Sequence, residues 1–123
     1  MTVSEALSQL TVKDLMQMAK SSTRDKYMTN VAMLTMVLVY SEKEKHSLLD
    51  FRSKIESDTD KFISFIKTIG QRKPTEWQMD LIGPICKQGW FDYEYLKTMN
   101  HAAALLCVFC KDMYNRGDLY WKE

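Results

Sequence analysis

From Leu96 onward the apolar residues recur at alternating spacings of three and four. Leu96, Met99, Ala103, Leu106, Cys110 and Met113 follow this count, and Gly117 and Tyr120 carry it on. A mean repeat of 3.5 residues keeps one face of a helix apolar turn after turn, which is the seam of a coiled coil. The stripe predicts one long last helix, roughly Asp92 to Lys122, that runs past the point where a small domain could still cover it. Val3, Leu7 and Leu10 repeat the pattern near the other end, spaced four and three. The two stretches together predict an all-α fold, a small helical bundle at the tip of a short antiparallel coiled-coil stub. The seam would be Val3, Leu7 and Leu10 on one strand and Met113, Gly117 and Tyr120 on the other. On this reading the chain is a single domain, with 1–11 the outgoing strand end, 12–112 the globular head and 113–123 the start of the returning strand.

Composition agrees with helices. Four Gly and two Pro in 123 residues leave few of the turns a β fold needs. Apolar residues make up 46% and charged residues 27%, enough for a modest core. The net charge is +1, so the chain as a whole is not built for nucleic acid, and any electrostatic partner must meet a local patch. Three Cys without a framework spacing point to a reducing compartment. The chain does not open on a secretion signal. Its most apolar run, Val31 to Tyr40, is about half the ~20 residues that span a bilayer, so no membrane segment is expected. Nine Met are many for this length. They fit flexible core filling, or an adaptable contact surface.

In chain order, Val3 to Leu10 is the first heptad fragment. Thr11 with Asp14 restarts or bends the helix, which runs to about Lys20. Ser21, Ser22 and Thr23 turn the chain, and Asp25 opens a helix to about Tyr40 that is apolar nearly all round and so central. Ser41 to His46 is a charge run, read as a solvated loop or helix end. Leu48 to about Ser57 forms a short helix, and Asp58, Thr59 and Asp60 cap the next. Phe62 to Ile69 is apolar and helical, and Gly70 stops it. After the basic Gln71-Arg72-Lys73-Pro74, Thr75 caps a helix through Trp77, Leu81 and Ile82. Gly83-Pro84 is expected to break or kink that helix. Gly89 ends the following turn, and Asp92 opens the last helix.

Catalytic patterns are missing. Cys107-Val108-Phe109-Cys110 is formally C-x-x-C, but a redox pair belongs at a helix N-terminus, where the dipole lowers a thiol pKa, and this one lies mid-helix among apolar residues. A zinc site would want a second ligand pair, and only His101 is near. His46 has no partner motif. There is no phosphate loop, nucleophile elbow, H-E-x-x-H or calcium loop. No enzyme, metal or cofactor is expected.

The last stretch reads Phe91-Asp92-Tyr93-Glu94-Tyr95-Leu96, then Asn100-His101-Ala102-Ala103-Ala104-Leu105-Leu106-Cys107-Val108-Phe109-Cys110, then Met113. It resembles the microtubule-binding domain of dynein heavy chains, the small helical head at the tip of the stalk. That family reads Phe-x-Pro-Glu-x-Val, Ser-x-Ala-Ala and Leu-Cys-x-Trp-Val, with a Met four residues past the Trp. Phe91, Glu94, Ala102, Ala103, Leu106, Cys107 and Met113 match at the same offsets. Ala6, Leu7, Leu10 and Asp14 resemble the outgoing strand entering the first helix, and Met28 to Leu38 the second helix, so the likeness covers nearly the whole chain. Tyr93, Asn100, Leu105 and Phe109 depart from the pattern, as do Arg24-Asp25 where the family has Pro-Pro. The departures resemble an axonemal heavy chain more than a cytoplasmic one.

The resemblance implies a binding head rather than a catalyst, with ATP chemistry in a motor ring elsewhere. It implies a microtubule partner, α/β-tubulin, and a location in the cytoplasm on the cytoskeleton or in the axoneme of a cilium. It implies a monomeric head whose affinity is switched by sliding of the seam between registers. The family's microtubule face comes from its first helix, the loop after it, its third helix and its last helix. Carried over, that face is Lys20, Arg24 and Lys26, Arg52 and Lys54, and Lys111 and Arg116. Gly117 in the seam would leave a gap and looser closure. Two other classes stay open. One is a helical protein-interaction module with no microtubule role. The other is a divergent small helical enzyme or virus-type adaptor.

Overall fold

The structure is a computed structural model that describes residues 2–20, 25–40, 48–57, 59–69 and 72–121. It is all-α: eight helices and no strand among the described residues. These are α1 (Val3–Gln9), α2 (Val12–Ala19), α3 (Lys26–Tyr40), α4 (Leu48–Ser57), α5 (Thr59–Ile69), α6 (Glu76–Cys86), α7 (Tyr93–Lys97) and α8 (His101–Trp121).

Short polar side chains set most of the helix starts. A helix leaves its first N–H groups without internal partners, and an oxygen just ahead of it supplies one. Thr2 Oγ1 accepts from Glu5 N at 3.2 Å, and Thr11 Oγ1 from Asp14 N at 3.2 Å. Between them Leu10 is extended, with φ −70° and ψ 121°, so the chain bends between α1 and α2. Asp25 Oδ1 accepts from the N–H groups of Tyr27 and Met28 at 3.0 and 3.1 Å. Thr75 and Gln78 form a reciprocal capping box.

Two helix ends are closed from a distance. The last carbonyls of a helix are also orphans. Gln78 Nε2 donates 3.0 Å to the Val37 carbonyl near the end of α3, so one buried side chain both opens α6 and docks it on α3. Arg52 Nε donates 2.7 Å to the Ala19 carbonyl, which ties α4 to the end of α2. A guanidinium there also opposes the helix dipole.

The core lies between α3 and α8. Met28, Val31, Ala32 and Leu34 through Val39 are buried on α3, and Ala102 through Leu106, Cys107, Phe109, Cys110 and Met113 on α8. α8 is the hub, in contact with α1, α2, α3, α6 and α7. α4 and α5 close the far side, where Phe51 and Phe62 meet edge to face at 5.9 Å. Most methionines fill this core. Met18, Met28, Met36 and Met113 are buried, whereas Met99 is exposed.

Three sequence expectations are corrected. The last helix does not run from Asp92. Asp92 Oδ2 accepts from Tyr95 N at 3.1 Å and opens only the five-residue α7. At its end the N–H groups of Met99 and Asn100 both turn back to the Leu96 carbonyl. Asn100 Oδ1 then accepts from Ala103 N at 3.0 Å and starts α8. Heptad counting missed the break because Leu96 and Met99 keep the spacing across it, yet Met99 is 42% exposed. Next, Gly83-Pro84 does not break α6, which continues to Cys86. Pro84 lies within the last turn and forfeits a single internal hydrogen bond, so the helix continues past it.

The third correction concerns Gly117, which leaves no gap. It is buried, and a Cβ built on it would lie 2.6 Å from Pro74 Cγ and closer still to the Met79 sulfur. The residue is small because the start of α6 approaches the backbone of α8 there. The boundary drawn between 112 and 113 falls inside continuous α8. Ser21 to Arg24, Ser41 to His46, Asp58 and Gly70 lie outside the described residues.

Candidate binding faces

The basic residues singled out in the sequence have different surroundings. Lys20 is exposed at the C-terminal end of α2, Lys26 is exposed at the start of α3, and Lys54 is exposed on α4. Arg52 is half-buried and holds the Ala19 carbonyl, the residue before Lys20, so it brings α4 to this end of the head. Lys54 lies roughly 200° around the helix from Arg52 and points away from that tie. Arg24 lies outside the described residues. On α8, Lys111 is half-buried with its ammonium 5.9 Å from the centre of the buried Phe91 ring. Arg116 Nε pairs with Asp112 Oδ2 at 2.8 Å, one turn back, and its Nη2 lies 3.1 Å from the Met113 sulfur. The candidates therefore divide into three exposed lysines, a structural tie in Arg52, and two cations on α8 engaged by their own neighbourhood.

The seam candidates fall on two parts of the chain, the region of α1 and the second half of α8. Leu7 and Leu10 are buried, Val3 is half-buried, and α1 packs along α8. Met113 is buried, and Gly117 meets Pro74 and Met79. The side chain of Tyr120 is outside those described.

The three thiols are free and buried. Burial pushes Cys86 and Cys107 up from 9.0 to about 12, against a weaker downward pull from Lys111. Cys110 is raised well above its ordinary value, first by burial and then by the other two thiols, while a hydrogen bond with Thr35 lowers it. The thiols are therefore protonated and poor nucleophiles. His101 is exposed at the first position of α8. Among the described residues no group of three or more His, Cys, Asp or Glu is placed to hold a metal ion, and no helix is long and apolar enough to cross a membrane.

Sequence reading missed two surfaces. One is aromatic. Tyr27 lies 4.8 Å from Trp90 and meets Tyr95 edge to face at 5.9 Å, with Tyr95 44% exposed and Met99 next to α7 also exposed. The hydrogen bond with Tyr27 raises the Tyr95 phenol above its ordinary value. Only packing joins Tyr27 to the stretch from 90 to 99. The other is an acidic groove between α6 and α8. The i, i+4 spacing of Glu76 and Asp80 hints at it, but the part played by α8 is invisible in sequence.

No protein-family model, curated protein or solved structure matches the chain.

Proposed function

We propose that this chain is a microtubule-binding head of dynein type, which meets the acidic tubulin surface through the end formed by α2, α4 and the start of α3. Lys20 and Lys26 supply the exposed charge, and Arg52 holds the end together. The observation that carries the reading is the packing order. α2 lies against both α4 and α8, so the first, third and last helices of the head are contiguous, and α1 is in contact with α8. On this reading the chain does no chemistry. Its seam biases the head between weak and strong binding, and the partner is met by a few screened charges that let go readily.

The test is co-sedimentation with microtubules across a salt series, with coiled-coil strands fused to both ends in alternative registers. Binding should depend on register and fall with salt. Lys20→Glu with Lys26→Glu should lower affinity about tenfold or more. No pelleting in any register at low salt would overturn the proposal.

A second reading is favoured by the aromatic surface of Tyr27, Trp90, Tyr95 and Met99, since exposed Tyr, Trp and Met are typical of protein-binding hot spots. A helical interaction module of that kind would bind its partner with little salt dependence and without regard to register.

A further inference from the structure

The groove between α6 and α8 serves neither reading. It encloses about 440 Å³, within the usual range for sites that take a small ligand or a few side chains. Its floor is Tyr114. The ring lies on α6 because residue 83 has no side chain: a Cβ there would stand 3.2 Å from Tyr114 Cε2. Glu76 and Asp80 line the α6 wall one turn apart, and Asp118 lines the α8 wall one turn beyond Tyr114. Like charges at i, i+4 repel, so the Glu76–Asp80 pair costs the isolated head a little stability that a bound cation would return. The carboxylates do not converge on a point that would hold a metal ion. The ring already attracts a cation, since Lys87 Nζ stands 5.9 Å from its centre.

We propose that this groove binds an arginine side chain of a basic peptide segment on a partner protein. The guanidinium stacks on Tyr114, and the carboxylates of Glu76 and Asp80 accept its hydrogen bonds. Glu76 and Asp80 outnumber Lys87 on the lining, so the occupant is cationic. A planar guanidinium suits an aromatic face flanked by separated acceptors better than a compact ammonium, because it stacks and donates in the ring plane at once. The Lys87 ammonium is its internal competitor. This inference does not rest on microtubule binding, since an acidic groove repels tubulin's acidic surface.

The whole chain, labelled with nitrogen-15, would be titrated with acetyl-Gly-Arg-Gly-Arg-Gly-amide and with the same peptide carrying neutral citrulline for arginine. The amides of Gly83 and Tyr114 should shift with the arginine peptide, and the citrulline peptide should bind about tenfold more weakly. Glu76→Gln with Asp80→Asn, both at exposed positions, should weaken binding about tenfold. Lys87→Gln should strengthen it severalfold by freeing the ring. Thermal melting of each variant checks that the fold is kept. Equal binding of the two peptides, shifts confined to other residues, no shift at all, or weaker binding by Lys87→Gln would each overturn the proposal, the last by pointing to an anionic ligand.

Discussion

The two halves of α8 share a helix and a heptad count, yet they are packed by different means. From Ala102 to Cys110 every residue but Val108 is buried, on a helix that α1, α2, α3, α6 and α7 all pack against. Small residues at 102 to 104 let those neighbours approach, and Phe109 and the two thiols fill what remains. Beyond Met113, Gly117 lies against Pro74 and Met79 and Tyr114 lies against Gly83, beside the groove between α6 and α8. An apolar stripe thus says which face is covered. It does not say how many neighbours cover the helix, and that number separates core from binding surface.

The comparison can be broken most forcefully in the first half. Phe109→Ala should cost about 3–5 kcal/mol, seen as a large drop in the urea midpoint, because a fully buried ring leaves a cavity. A loss as small as that of an exposed residue would show that the first half is not the core.

Two thiols sharpen the same half through pH, Cys107 within it and Cys86 beside it at the end of α6. The folded pKa of Cys86 and of Cys107 is raised, to about 12 from 9.0. Below pH 9 both folded and unfolded thiols are protonated, and their contribution is fully present. Between 9 and 12 only the unfolded thiol ionises, so stability falls by about 1.4 kcal/mol per pH unit for each thiol. Above 12 this loss levels off. The unfolding free energy of Cys86→Ala with Cys107→Ala should therefore be less steep in alkali than that of the unaltered chain, and a thiol reagent at pH 8 should label the native protein far more slowly than the unfolded one.

In the second half, Gly117→Leu should destabilise by about 1–3 kcal/mol through overpacking against Pro74 and Met79. Gly89→Ala, where a Cβ would meet nothing within 4 Å, should stay within about 0.5 kcal/mol. Equal effects at the two glycines would remove the close approach from the account. Asn100→Ala, which removes the cap that separates α7 from α8, should cost about 1 kcal/mol in thermal melting. Lys20→Glu is the mildest, within about 0.5 kcal/mol of stability, so any larger effect on microtubule pelleting belongs to binding.

Much of the helical plan was legible in the chain. The starts at Thr11, Asp25 and Thr75 and the near-total burial of α3 follow from local rules, because a cap reaches only three residues ahead and periodicity needs one helix at a time. The break at residues 98–100 was not legible, since Leu96 and Met99 preserve the seam spacing on both sides of it. Gly117 was misread as a gap for a related reason: whether a missing side chain is a hole or a close contact depends on what faces it. Among the basic candidates, charge and spacing could not tell exposed Lys20 from Arg52, which is occupied by the Ala19 carbonyl, or from Arg116, which is held by Asp112.

The sequence by itself determined the all-helical class, the central helix and most of the helix starts, because propensity, capping and amphipathic period act over a few residues. Tertiary structure decided which cations are exposed, which glycine is a contact, and that Tyr27 meets Trp90 and Tyr114 floors an acidic groove. Those outcomes depend on side chains brought together from distant parts of the chain, and only the packing of α6 and α7 on α8 brings them together.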